Sequence, residues 1–179
     1  MIVPSSTPKQ GLSDTQKIID KFKVKDKVCI VGVRGYYKDT MGEKGVNDLG
    51  LYDDAIFIVA PECYLSFNAN CDPGAHKKGI ATLRKGLWSY KLGIHGLSKP
   101  KALQYTALVQ AAKVTVDRDG EGEESGFFGI NIHKGGINTV SSLGCQTIHP
   151  SQWPSFIETV KAQLKKHDQK TVPYLMVEA

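Results

Sequence analysis

No apolar run in this chain of 179 residues approaches the ~20 residues that a membrane helix needs. The longest candidate, 55–60, is bounded by Asp53-Asp54 and Pro61. The first ten residues hold no apolar stretch of secretory-signal length, so the chain is expected to be made in the cytoplasm. The four cysteines, at 29, 63, 71 and 145, include no CxxC pair, which argues against a zinc finger or a thioredoxin motif. In a reducing compartment their default state is the free thiol. No internal repeat and no low-complexity segment is present. Neither sign of charge dominates: 23 Lys and Arg against 18 Asp and Glu leave a net +5, which permits an anionic partner without requiring one. No recognisable nucleic-acid module accompanies that charge, so a nucleic-acid partner is not expected.

What is present is ordinary globular composition, 41% apolar and 23% charged, which excludes whole-chain disorder. The length suits one domain with a core of its own. Residues 1–12, with Pro4, Ser5, Ser6, Pro8 and Gly11, read as a flexible arm, and 13–179 as a single catalytic domain. Ser13 precedes Gln16 by three, a capping-box pattern, and Ile18, Ile19 and Phe22 complete a short helix over 14–22. Runs of β type follow at 28–33, 55–60, 87–92, 113–117 and 127–133, separated by Gly, Asp and Asn clusters. The segments 34–51 and 68–78 read as long loops, a length often associated with function. Trp153, Phe156, Ile157, Val160 and Leu164 then fall at i, i+3, i+4, i+7 and i+11, the stripe of a second helix starting at Ser151. A strand over 174–177 closes the chain. The expected fold is mainly β (α+β), with a helix near each end.

The stretch richest in chemistry runs from Gly129 to Thr147. A strand delivers His133 at its end, a polar loop follows, and small residues lead into Cys145. A cysteine nucleophile needs a base in reach, donors for a developing oxyanion, and a backbone that lets substrate approach. His133 supplies the base, and the N–H groups of Gly144 and Cys145 are candidate donors. Ser142 is placed to hold the loop or to hydrogen-bond His133. Asn131 shares a strand face with His133 and is a cleft candidate, as is His95. A neighbouring imidazolium or aligned N–H groups would lower the thiol pKa, so Cys145 is expected to be the most reactive cysteine and Cys29 the least. Against this stands the plainer reading in which free Cys simply packs. His149 reads as a cap or surface contact, Asp53-Asp54 as a loop cap, and Arg118-Asp119 as a turn-side ion pair.

The segment His133…Ser142-Leu143-Gly144-Cys145 resembles the signature of YkuD-type L,D-transpeptidase catalytic domains: a His, a loop, then Ser/Thr-His-Gly-Cys. It is closer to a divergent, phage-associated branch that reads Gly-Ile-Asn-Ile-His, a short loop, then Ser-x-Gly-Cys-Gln. Tyr90, Gly93 and His95 resemble that branch's Tyr-x-x-Gly-x-His element, with Tyr105, Ala107 and Leu108 following. The resemblance spans about residues 83–165. It implies an L,D-transpeptidase-like β-sandwich or barrel, and acyl transfer or hydrolysis on peptidoglycan stem peptides, with no cofactor. The residues it implies as catalytic are Cys145, His133, Gly144 and Ser142, with Asn131, His95, Ser141, Leu143 and Gln146 contacting substrate. Leu143 stands where the signature has a second His, Gln146-Thr147 stand where it has Arg-Asn, and the loop from His133 is shorter. The expected site of action is the cell wall, reached from the cytoplasm as by a phage lysis enzyme. Two alternatives come from other classes. One is a zinc amidase or peptidase, using His95, His133 and Cys145 as ligands with one position open for water. The other is a non-catalytic wall-binding or structural module.

Overall fold

The computed structural model describes residues 3–179. Eight strands close into a barrel. In chain order the elements are α1 (Leu12–Lys21), β1 (Cys29–Arg34), β2 (Asp54–Ala60), β3 (Cys63–Asn70), β4 (Ala81–Leu83), β5 (Gly86–His95), β6 (Tyr105–Gln110), β7 (Val114–Arg118), β8 (Gly122–Gly126), β9 (Ile132–Lys134), β10 (Gln146–Ile148), α2 (Trp153–Lys166) and β11 (Val172–Glu178). Around the barrel the order is β1-β11-β5-β6-β9-β10-β3-β2, and β4-β7-β8 form a separate antiparallel sheet. Two barrel contacts are parallel, β1 with β11 and β9 with β10. The fold is mainly β with two helices, as expected for the α+β class.

The two continuous apolar runs, β1 and β2, are buried on both faces. Strands that are covered on both sides lose the polar alternation of a half-exposed strand. Ile30, Ile56 and Ile58 point into the larger core, which also takes the α2 stripe of Phe156, Val160 and Leu164. Val31, Val33, Phe57 and Val59 point the other way, into a second cluster with Ile19 of α1. Each such side chain contributes roughly 1.5–3 kcal/mol by leaving water.

Some local expectations need correcting. Helix α1 starts two residues early, with Gly11 at its N-cap and no side-chain cap, so the Ser13–Gln16 box does not form. Thr15 inside the helix is fully buried and its hydroxyl meets Tyr64 Oη at 2.7 Å, which docks α1 on β3. The expected strand 127–133 is strand only from Ile132. Gly129 interrupts it at φ +71°, a backbone that L side chains rarely adopt. Residues 68–70, read as loop, belong to β3. The arm, of which Met1 and Ile2 lie outside the described residues, runs along β3: Pro8 O accepts Ser66 Oγ at 2.7 Å and Gln10 O accepts Tyr64 Oη at 2.8 Å. Asp54 caps two loops, its carboxylate accepting the N–H groups of Gly35 and Cys71. Arg118 does not pair with Asp119; it reaches Glu124 at 2.8 Å across β7–β8.

Candidate active site

Strand β9 and the entry to β10 lie side by side, in parallel register, with Thr147 opposite His133 and Gln146 opposite Ile132. This pairing brings the end of the His133 strand beside Cys145, although a loop of eleven residues separates them in sequence. Cys145 is half-buried. Its Sγ accepts the Asn131 N–H at 3.4 Å and donates to Gly129 O at 3.3 Å, so both backbone anchors come from the segment leading into β9. Burial raises the thiol pKa, partly offset by the Asn131 N–H. The expectation of a lowered thiol pKa is therefore reversed, because burial outweighs the one N–H that favours the thiolate.

His133 is buried, 4% exposed. Its Nδ1 lies 2.8 Å from Lys134 O, a contact that places the proton on Nδ1 and leaves Nε2 as a free acceptor. Tyr105 Oη lies 3.4 Å from that same Nδ1 and from Lys134 O. Burial, then the adjacent His95, and more weakly Lys99, push the His133 pKa down to about 4, against the Lys134 carbonyl that favours the charged ring. The His95 ring stacks on it with centroids 4.0 Å apart and planes at 21°. His95 Nδ1 is 3.2 Å from Asn131 Nδ2, which can only donate, so Nδ1 is the acceptor and Nε2 carries the proton. At neutral pH the site thus holds an un-ionised thiol and two neutral imidazoles. Cys145 and His133 share no hydrogen bond at rest.

The loop before Cys145 is stapled to the 71–81 segment. Ser142 is buried, and its Oγ lies 2.8 Å from Asp72 O and 2.7 Å from Cys145 O while accepting the Gly144 N–H at 3.0 Å. Gly74 N donates to Ser142 O at 3.0 Å. So Ser142 holds the loop and does not touch His133. The Gly144 N–H, expected to face an oxyanion, is spent on Ser142. The Cys145 N–H has no partner among the described residues and is the donor that remains free. Gly144 adopts φ +120° with the Ala81 carbonyl against it, where a Cβ has no room.

Gln146 was expected to contact substrate. It is fully buried, donates to Gly144 O at 3.2 Å and accepts the Tyr174 hydroxyl at 3.2 Å, so it belongs to the framework. Ser141, at φ +57°, and Leu143, 76% exposed, face a cleft of about 670 Å³ whose far wall includes Gly74, His76 and Lys77. His149 stands aside, bonded to Ser151 Oγ at 2.8 Å and edge-on to Tyr52. Among the described residues no three His, Cys, Asp or Glu side chains converge as metal ligands, and His95, His133 and Cys145 are not such a set. Tyr105, named in the sequence only as part of the resemblance, gains a site role here, as do the Lys134 and Gly129 carbonyls. Two of these act through backbone atoms, which residue identity does not reveal. No protein-family model, curated protein or solved structure matches this chain.

Proposed function

We propose that the chain is a cysteine acyl-transfer enzyme of the L,D-transpeptidase kind, working on the stem peptides of peptidoglycan as a transpeptidase or peptidase. The observation that supports this reading is that the parallel β9–β10 register sets one thiol and one base on neighbouring strands: Cys145 gripped by Gly129 and Asn131, His133 tautomerically fixed with Nε2 bare. The barrel is, in this reading, a divergent form of the L,D-transpeptidase fold. The chain is made in the cytoplasm and acts at the cell wall.

The chemistry follows from the protonation states. Both partners are neutral, so the proton leaves Sγ as the bond to carbon forms. Sγ turns from Gly129 O toward His133, transfers its proton to Nε2, and attacks the carbonyl of the stem peptide. The carbonyl oxygen takes the electron pair and accepts the Cys145 N–H. The imidazolium, stabilised by Lys134 O at Nδ1–H, then gives the Nε2 proton to the departing amine as the C–N bond breaks. A thioester to Cys145 remains. Water or an acceptor amine, deprotonated by His133, releases it and restores the thiol. The raised thiol pKa makes the base essential: at neutral pH the resting thiolate fraction lies below the few per cent of a free cysteine, so the proton has to be taken by His133 during the attack.

The test uses purified muropeptides with wild type and Cys145→Ala, products read by mass spectrometry with and without chelator. Stem cleavage or exchange that vanishes in the variant and survives chelator is expected. His133→Gln is expected to slow turnover by about 10²–10⁴-fold. Activity abolished by chelator overturns the thiol mechanism, and no turnover by wild type removes the enzyme reading.

A further inference from the structure

A second cleft lies away from Cys145, where the small sheet meets the barrel. It encloses about 500 Å³, within the ~300–1,000 Å³ common for small-molecule sites. One wall is Thr115 and Asp117 of β7 with Glu123 of β8, and the other is Trp88 of β5 with Arg84 and Lys85 just before it. Arg34 and Glu178, at the ends of β1 and β11, complete the lining.

Its charges cancel: Arg34, Arg84 and Lys85 face Asp117, Glu123 and Glu178. They are also paired. Lys85 reaches Glu178 at 2.8 Å, Arg34 lies 3.5 Å from the same carboxylate, and Arg84 contacts both Asp117, at 3.5 Å, and Glu123. A net-neutral, internally paired set offers no excess charge to hold an ion. It does bring its donors and acceptors together around one cleft. Arg84 uses Nε and Nη1 in those pairs and leaves Nη2 without a partner among the described residues. Asp117 Oδ1 and Glu123 Oε1 are likewise unspent. Two acceptors, on β7 and β8, and one guanidinium nitrogen, from the turn before β5, therefore face one space. Trp88 adds the opposite character. Its indole N–H already donates to Arg84 O at 2.9 Å, so what the ring offers the cleft is carbon surface alone.

Unspent hydrogen-bonding groups beside aromatic carbon, with no net charge, match a ligand whose edge is hydroxyl and whose face is C–H. We propose that this cleft binds a neutral pyranose ring, with Arg84, Asp117 and Glu123 taking its hydroxyls and Trp88 its C–H face. In the setting proposed for Cys145 the source is the glycan strand that carries the stem peptide, and only that source rests on the thiol reading. The glycan cleft makes no use of Cys145 or His133.

The experiment follows the Trp88 indole and Arg84 side-chain resonances by NMR during titration with N,N′-diacetylchitobiose, cellobiose and inorganic phosphate. Wild type and Cys145→Ala are expected to show the same saturable shifts with diacetylchitobiose, and none with phosphate. Asp117→Ala/Glu123→Ala, at positions exposed to solvent, is expected to weaken that binding at least fivefold. No saturable shift with either sugar, equal affinity in the double variant, or displacement by phosphate overturns the proposal. Binding of cellobiose alone overturns the wall-glycan source. Sugar binding by a protein that fails to turn over muropeptides keeps the cleft while removing the thiol reading.

Discussion

His133 and Asp53 pull the pH dependence of stability in opposite directions. Burial takes His133 from its ordinary 6.5 down to about 4, so between those values the unfolded chain binds the proton and the folded one does not. Its contribution is therefore complete above pH 6.5 and is lost as pH falls toward 4, roughly 3 kcal/mol in all. Asp53 is the reverse: burial raises it from 3.8 to about 6, and its contribution is lost as pH rises through that window. Relative to wild type, His133→Gln is expected to gain stability on going from pH 7 to 4, and Asp53→Asn to lose it. Urea unfolding at pH 4, 5.5 and 7 checks this, and parallel curves for the three proteins would sink it. The raised thiol predicts in turn that iodoacetamide labels Cys145 slowly at pH 7 and faster above the ordinary thiol value of ~8.5. Cys29 and Cys71, 2% and 0% exposed, should stay unlabelled in the folded protein, as peptide mapping would show. Residue identity made Cys145, His133 and Asn131 legible because they lie close in sequence on one strand–loop unit. Gln146 misled because the resemblance sets it next to the cysteine on the substrate side, whereas its side chain is tied into the framework by Tyr174, 28 residues away.

Among elements, the helices were the most legible, α2 above all, because five buried side chains at helical spacing leave one answer. The strands β3, β4, β6, β8 and β10 were not read as strands. Their Ser, Asn, Thr and Gln side chains break the apolar pattern, and tertiary partners bury several of them: Asn68, Asn70, Gln110 and Thr147. Gln110 at the end of β6 explains the interrupted segment 127–131. Its Oε1 accepts the N–H groups of Phe128 and Ile130 at 3.0 and 2.9 Å, and its Nε2 donates to Gly126 O at 3.0 Å. One side chain thus replaces a missing stretch of ladder, beside the two groups that hold Cys145. Gln110→Leu leaves buried backbone donors unpaired and is expected to cost about 1–3 kcal/mol for each. Faster amide exchange across 127–131 and faster labelling of Cys145 should accompany it. Exchange unchanged in that segment would show that Gln110 does not hold it.

At the scale of the whole molecule, Arg34 joins parts that the sequence leaves far apart. Its Nε lies 2.8 Å from Asp72, and its Nη2 donates to Cys71 O at 2.9 Å and Leu83 O at 2.8 Å. It is 8% exposed, a position an arginine occupies only when paired. Arg34→Met strands the Asp72 carboxylate and is expected to lose about 3–5 kcal/mol, measured by denaturant unfolding at pH 7. A loss below about 1 kcal/mol would mean that Asp72 takes up a proton at little cost. The general class of the fold was legible from alternation and turns, whereas barrel closure was not, since strand order carries no local signature.

Closure has a consequence for the timing of synthesis. Strand β11 sits between β1 and β5, and the Arg34–Glu178 contact spans 144 residues. At ~5–20 residues per second, β1 waits on the order of ten seconds or longer after leaving the ribosome before its parallel neighbour exists. During that interval β1 and β5 both present unpaired edges, rich in Val, Ile and Leu, to everything else in the cell. The nascent chain is therefore the aggregation-prone form of this protein, and its yield is set by whatever shields those two edges until translation reaches β11.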